Sequence, residues 1–225
     1  LLSFLDAEAN TLMKKLKLLP KLARLGRMFP REVSKAPCQE VVFTGEEVDL
    51  GQLPALTCWP DDGGPFITLP VVITQHPDTG RRNLGIRRCQ VKGPNKTGIL
   101  FGAPDRGGAI HHNKWKMRGQ SMPAAFYVGA DPVHYLVAPS RYGEDELAVA
   151  GGIRGAPVEM VKCETVDLEV PASAEFVVEG EVSMDQTEPE GPFGEFTGYM
   201  AGGRAGPVFN VKCITHRKDP IVMGV

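Results

Sequence analysis

The sequence has no C-x-x-C pair and no marked excess of charge of either sign. It also has no apolar run near the roughly eighteen residues that a membrane span requires. Each absence removes a class of protein. The five cysteines (Cys38, Cys58, Cys89, Cys163, Cys213) are odd in number and dispersed. They argue for reduced thiols in a cytoplasmic protein rather than a disulfide framework or a zinc site. A net charge of −2 and a pI near 6.3 supply no global field to draw the chain to nucleic acid or an anionic membrane. The opening Leu1-Leu2-Ser3-Phe4-Leu5-Asp6 has neither the basic start nor the small-residue cleavage site of a signal peptide. With no initiator Met, the chain is expected to begin inside a longer one.

What remains is an ordinary globular composition: 225 residues, 42% hydrophobic and 23% charged, enough for one large domain or two small ones. Gly (26) and Pro (19) are spread between apolar runs, the habit of a loop-rich β protein rather than a disordered one. Residues 1–29 carry Leu2, Leu5, Leu12, Leu16, Leu19, Leu22 and Leu25 at helical spacing, interleaved with Lys and Arg and broken by Pro20. Such a basic amphipathic helix is either a solvated surface helix or a contact for membrane or partner. Residues 30–40 look like a connector.

From Val41 the period becomes that of strands. Val41-Val42-Phe43-Thr44 leads into a turn at Gly45-Glu46-Glu47. The run 66–74, the turn signal Pro77-Asp78-Thr79-Gly80 and the return 83–89 predict a β-hairpin over 66–91. Residues 108–120 are weakly patterned and compatible with a helix. A short helix is expected over 144–150, closed by Gly151-Gly152. Strands are expected at 159–163, 166–170, 176–182 and 207–217. Many strands with short connections suggest an antiparallel barrel or sandwich behind a mixed N-terminal segment.

The segment Pro189-Glu190-Gly191-Pro192-Phe193-Gly194-Glu195 stands apart. Two glycines and two prolines exclude a helix and make a poor central strand, so it reads as a shaped loop presenting Glu190 and Glu195. At about 6 Å and an effective dielectric of about 20, the two acids would repel by roughly 3 kcal/mol, or about two pKa units. One of them could then keep a proton near neutral pH and donate it. The alternative is a surface turn with two solvated acids.

Several segments, taken in order, resemble the UbiD family of decarboxylases, which use prenylated flavin mononucleotide (prenylated FMN). They are Ala36 to Val42, Leu56-Thr57-Cys58-Trp59-Pro60, Gly64-Pro65-Phe66-Ile67-Thr68 and Asn83-Leu84-Gly85-Ile86-Arg87-Arg88. Further on come Gly129-Ala130-Asp131-Pro132, Ala150 to Gly155, Val166 to Ala172, and Pro189 to Gly198. The resemblance implies an α+β fold, mostly an antiparallel β split barrel of the flavin-binding type over 36–225, behind a helical N-terminal segment over 1–35. It implies that Asn83 and Glu146 ligate a divalent ion, Mn2+ or Mg2+, that clamps the cofactor phosphate, with K+ as an optional companion. Ile86 would contact the flavin and Arg88 would stand near its reactive edge. Because Asn83, Ile86 and Arg88 do not share one strand face, a bulge or turn near Gly85 is expected. Arg88 and Glu190 would pair, leaving Glu195, in a less polar spot, as the proton shuttle. Carbon dioxide would leave with its electrons held by the cofactor, and Glu195 would protonate the carbon.

Two departures from the family pattern matter. Where the family places a His as third metal ligand, this chain has Pro104-Asp105-Arg106-Gly107-Gly108, which makes Asp105 the candidate and His111 or His112 the alternatives. The family's C-terminal α/β dimerisation domain is expected to be missing from this chain, which ends at Val225. The implied partners are a small carboxylic acid substrate, a flavin prenyltransferase as cofactor supplier, and either a second copy or a complementary chain. No nucleic acid and no membrane span are expected. Three functions follow: a decarboxylase (or reversible carboxylase) of an aromatic or α,β-unsaturated acid, a flavin- or metal-binding module that does not catalyse, and a hydrolase built on Glu190 and Glu195.

Overall fold

A computed structural model of the protein describes residues 26, 28–140 and 145–224. The helix expected over 1–29 therefore lies almost wholly outside the described residues. Fourteen strands are described. They are β1 (Arg31–Glu32), β2 (Val41–Thr44), β3 (Phe66–Ile67), β4 (Val71–Gln75), β5 (Arg82–Ile86), β6 (Cys89–Gly93), β7 (Lys96–Ile99), β8 (Met122–Val128), β9 (Glu159–Lys162), β10 (Glu169–Pro171), β11 (Phe176–Pro189), β12 (Phe193–Gly194), β13 (Met200–Ala201) and β14 (Ala205–His216). Three α-helices accompany them: α1 (Gly107–Met117), α2 (Pro132–Val137) and α3 (Glu146–Arg154).

Nine of these strands form one antiparallel sheet in the order β3-β6-β7-β14-β11-β8-β4-β5, with β2 added to β14. The 66–91 hairpin accounts for its curvature. Its outer half pairs β3 with β6 and its inner half pairs β4 with β5, so one hairpin supplies both ends of the sheet. Ile67, Val72, Cys89, Ile99, Phe126, Val178 and Phe209, drawn from strands all along that order, meet in one buried cluster inside the curl. The alternate residues face the other way. Val71, Ile73, Ala125, Tyr127 and Val177 pack outward against Val133, Val137, Leu147, Met160 and Val170 of α2, α3, β9 and β10. Being buried on both faces, β8 reads as a continuous apolar run rather than an alternating one.

The hairpin is interrupted where the sequence placed a single run. Val71 pairs with Ile86 and Ile67 with Cys89, leaving three residues (68–70) opposite two (87–88). Pro70 has no N–H to contribute to a ladder, and its carbonyl accepts instead from Arg87 N at 3.3 Å. The irregularity expected near Gly85 thus falls two residues further on, at Arg87–Arg88.

Other boundaries also differ from expectation. Residues 31–32, read as connector, form a short strand parallel to β9. The weakly patterned 108–120 region is the helix α1. The helix expected over 144–150 runs through both glycines to Arg154 and ends at Gly155, whose φ of 74° gives the left-handed cap. Gly151 does not stop the helix, because its role is contact: a Cβ there would collide with the backbone carbonyl of Met28. Strand β11 is twice as long as expected. A register shift between Val182 and Thr187 bends it and delivers the 189–195 bend beside β6. All five cysteines are free, and among the described residues no helix is long and apolar enough to cross a membrane.

Candidate active site

The β5–β6 interruption aims consecutive arginines in different directions. Arg88 turns to the 189–195 bend. Its Nε donates to Glu190 Oε1 at 2.8 Å and its Nη2 to Glu190 Oε2 at 3.0 Å, while Nη1 bonds Glu195 Oε1. One guanidinium therefore holds both acids, the first in a bidentate fork. Glu190 is 6% exposed and Glu195 32% exposed. Glu195 does not stand apart in a less polar spot as the sequence reading supposed. It shares the arginine, and the cation between the two acids offsets their repulsion. Hydrogen bonds to Glu190 first, and then to Glu195, hold the Arg88 pKa above its usual value against desolvation. Phe193 lies under the guanidinium at 4.6 Å from carbon Cζ to ring centroid, and is itself braced edge-on by the buried Phe66.

Two hollows open beside this group. One, of about 470 Å³, is lined by Trp59, Thr68, Arg88, Phe193, Glu195 and Phe196. The other, of about 480 Å³, is lined by Arg88, Phe101, Glu190, Glu195, Met200 and Arg204 among others. Glu195 borders both, so its carboxyl is accessible from either.

Arg87 faces a third cavity, of about 370 Å³, which also meets Asn83, Ile86, Asp105, Arg106, His111 and Glu146. Asn83 Nδ2 donates to Glu146 Oε1 at 3.0 Å. Glu146 sits at the start of α3, 5% exposed, and its Oε2 is buried without a partner. Burial pushes the Glu146 carboxyl above its usual value, more than the Asn83 hydrogen bond lowers it. Arg82, whose Nη1 is also buried without a partner, lines the same cavity. Helix α1 begins against Asn83 because Gly107 lacks a side chain, since a Cβ there would come within 2.5 Å of Asn83 Cγ. Burial and the nearby charge of Arg106 lower the Arg87 pKa, a cost that an anion between the two guanidinium groups would remove.

The predicted site residues thus fall into two clusters joined through β5 and β6: Arg88, Glu190 and Glu195 in one, Asn83, Ile86, Asp105 and Glu146 in the other. Of the alternative ligands, His111 lines the same cavity, but its Nδ1 is 2.9 Å from Thr74 Oγ1. His112 turns away to the Ser183 carbonyl at 2.9 Å and stacks on Phe101. Among the described residues no three His, Cys, Asp or Glu side chains already form a metal cage. An ion here would rest on the Asn83 amide oxygen, the carboxylates of Glu146 and Asp105, and oxygens brought by a ligand. That all-oxygen set, with one orphaned carboxylate oxygen, fits Mg2+ or Mn2+ and a phosphate. The sequence reading missed Arg87, Arg106 and Phe193. The Arg87-Arg88 doublet was visible, but nothing in it tells which way each side chain turns.

Comparison with known proteins gives one consistent answer. The family model described as UbiD, 3-octaprenyl-4-hydroxybenzoate carboxy-lyase Rift-related domain, matches residues 31–225. The UbiD-class enzyme HmfF from Pelotomaculum thermopropionicum, solved as an evolved dimeric form in complex with prenylated FMN, is 38% identical with a TM-score of 0.81, over 89% of this chain and 49% of that one. The 3,4-dihydroxybenzoic acid decarboxylase of Klebsiella pneumoniae is 30% identical with a TM-score of 0.80, over 93% of this chain and 47% of that one. The vanillic acid decarboxylase of Sedimentibacter hydroxybenzoicus in its closed form is 29% identical with a TM-score of 0.83, over 95% of this chain and 47% of that one. The chain spans about half the length of these relatives. A fold shared along nearly the whole described chain, with a family match over 31–225, places this protein in the UbiD family.

Proposed function

We propose that this chain is the cofactor-binding part of a non-oxidative decarboxylase, or reversible carboxylase, acting on an aromatic or α,β-unsaturated carboxylic acid. The observation that carries the reading is the single guanidinium of Arg88 bridging Glu190 and Glu195 beside two open hollows. The curled sheet is read as a split barrel of the flavin-binding type over 36–225, and the cofactor as prenylated FMN with Mn2+ or Mg2+. When bound, that flavin supplies the electron sink that lets carbon dioxide leave.

The remaining work belongs to the protein. Asn83, Glu146 and Asp105 would hold the divalent ion and through it the phosphate, with the Arg87–Arg106 pair adding positive charge. Ile86, in the same cavity, would offer an apolar contact to the flavin. Arg88 fixes Glu190 by two hydrogen bonds, which keeps one acid stationary. Glu195, tied through a single N–H and bordering both hollows, is the acid able to swing and deliver a proton from its carboxyl oxygen. A flavin prenyltransferase would supply the cofactor, and a second copy or a complementary chain would complete the pocket walls.

In a second reading, the same residues bind flavin and metal without turnover, as a non-catalytic part of a UbiD-like enzyme. The chain, purified from a host that makes prenylated flavin, is offered aromatic and α,β-unsaturated acids while carbon dioxide is followed. Release that disappears in Glu195→Gln, with flavin still bound, is the expected result. Flavin absorbance without release would favour the binding module, and undiminished release in Glu195→Gln would remove Glu195 from the mechanism.

A further inference from the structure

The bend that carries the two acids is fastened from both sides. On one side, backbone bonds tie it to 199–204: Glu190 N donates to Arg204 O and Glu195 N to Tyr199 O, each at 2.9 Å. On the other side two side chains reach across from elsewhere in the chain. Asp62 Oδ1 accepts from Gly194 N at 2.9 Å, one residue before Glu195. Its Oδ2 accepts from Cys58 N and Trp59 N, also at 2.9 Å. Gln90 Oε1 accepts from Gly191 N at 2.8 Å, one residue after Glu190, and its Nε2 donates to Gly63 O at 2.8 Å.

Further features make this a built clamp rather than a chance contact. Gln90 is 5% exposed with both ends of its amide used. It follows Arg88 by two positions, so the chain that presents the guanidinium also presents the amide that fixes Gly191. The 58–63 loop and the bend touch backbone to backbone. Gly63 N donates to Pro192 O at 2.7 Å, and a Cβ on Gly63 would lie 2.5 Å from Gly191 Cα. A Cβ on Gly194 would likewise collide with the Trp59 ring. Desolvation acts to raise the Asp62 pKa, but the N–H groups of Gly194, Trp59 and Cys58 and the Arg88 charge outweigh it and leave the carboxyl below its usual value.

We propose that Asp62 and Gln90 are positioning residues that set where Glu190 and Glu195 stand relative to Arg88, acting on the reaction through the two acids without touching the reacting atoms. Arg88 holds the two carboxylates by their tips, but it does not fix the backbone that carries them, so the bend needs an outside anchor beside each acid. Asp62 supplies the one next to Glu195 and Gln90 the one next to Glu190. The consequence for catalysis rests on the function proposed above, whereas the placement of the acids can be measured without turnover.

The experiment follows hydrogen exchange at Arg88 Nε–H by NMR in the full chain, without cofactor or substrate. Asp62→Asn keeps the side chain's size but replaces one acceptor oxygen by a donor. Gly63→Ala drives a methyl group between the loop and the bend. Exchange at least tenfold faster in both variants, with the melting temperature of Asp62→Asn close to that of the parent, is expected. Exchange within twofold of the parent in both would overturn the proposal. In the protein loaded with prenylated flavin, kcat should fall about tenfold to a hundredfold with KM and flavin content unchanged. A fall in flavin content that matches the loss of activity would mean a merely structural role and would also overturn it. If exchange responds while the loaded parent releases no carbon dioxide, the clamp stands and the proposed function does not.

Discussion

Replacing Arg88 by Met tests the arginine–carboxylate group without reference to turnover. The substitution keeps an unbranched chain over Phe193 but removes both hydrogen bonds that the Glu190 carboxylate, 6% exposed, receives from that guanidinium. Removing one partner of a buried ion pair leaves the other charge uncompensated, at about 3–5 kcal/mol. The low end, about 3 kcal/mol, applies here because Arg88 itself is 22% exposed and water can partly replace it. Glu195, a third exposed, adds little. For a domain of this size that loss lowers the melting temperature by roughly 6–12 °C. Glu190→Gln should cost less, about 1–2 kcal/mol, because its amide oxygen still accepts from Arg88. The double variant should then recover part of the loss, with a coupling energy of about 2 kcal/mol. Urea denaturation of the three variants and the parent at pH 7, without flavin, gives all four corners of the cycle. A cost below about 0.5 kcal/mol for Arg88→Met, with coupling near zero, would show that the pair is screened like a surface salt bridge and that the bend is not held by it.

Two further predictions concern the rest of the molecule. Asn83→Ala should lower flavin and metal content together, and Gly107→Ala should do the same by forcing α1 away from Asn83. Unchanged stoichiometry by absorbance and elemental analysis would contradict a phosphate clamped at that cavity. His134 is fully buried, with Nδ1 3.1 Å from the Tyr127 hydroxyl and Nε2 unpartnered, and burial lowers its pKa to about 4. Between the ordinary value near 6.5 and about 4, the unfolded chain takes up a proton that the folded one refuses, so stability should fall as pH drops through that window and level off above it. An NMR titration showing the His134 ring protonating near 6.5 would refute this.

How legible the molecule was in its sequence depended on where the deciding contacts lie. The turn at Pro77-Asp78-Thr79-Gly80 and the apolar runs around it act locally, and the hairpin they predict is present. Helix α1 was nearly invisible because its buried side is made of Gly108, Ala109 and His111, chosen for close approach to Phe101 and Asn83 rather than for apolar periodicity. Gly151 and Gly152 read as a helix stop but serve the passage of residue 28, a contact more than a hundred positions away. The acids Glu190 and Glu195 stood out because Gly and Pro mark a shaped bend. That both would share one guanidinium depends on a partner 102 and 107 positions distant, which no local pattern contains. Asp62 was hidden for a similar reason: Asp61-Asp62-Gly63-Gly64 signals a turn without saying which acid reaches Gly194.

The most direct measurement is native mass spectrometry of the chain purified from a host that produces prenylated flavin, set against the same chain from a host that does not. One prenylated FMN and one divalent metal ion per chain, both lost in Asn83→Ala, is the predicted result. A protein that emerges with neither mass from the first host would contradict the reading of these two clusters as a cofactor site.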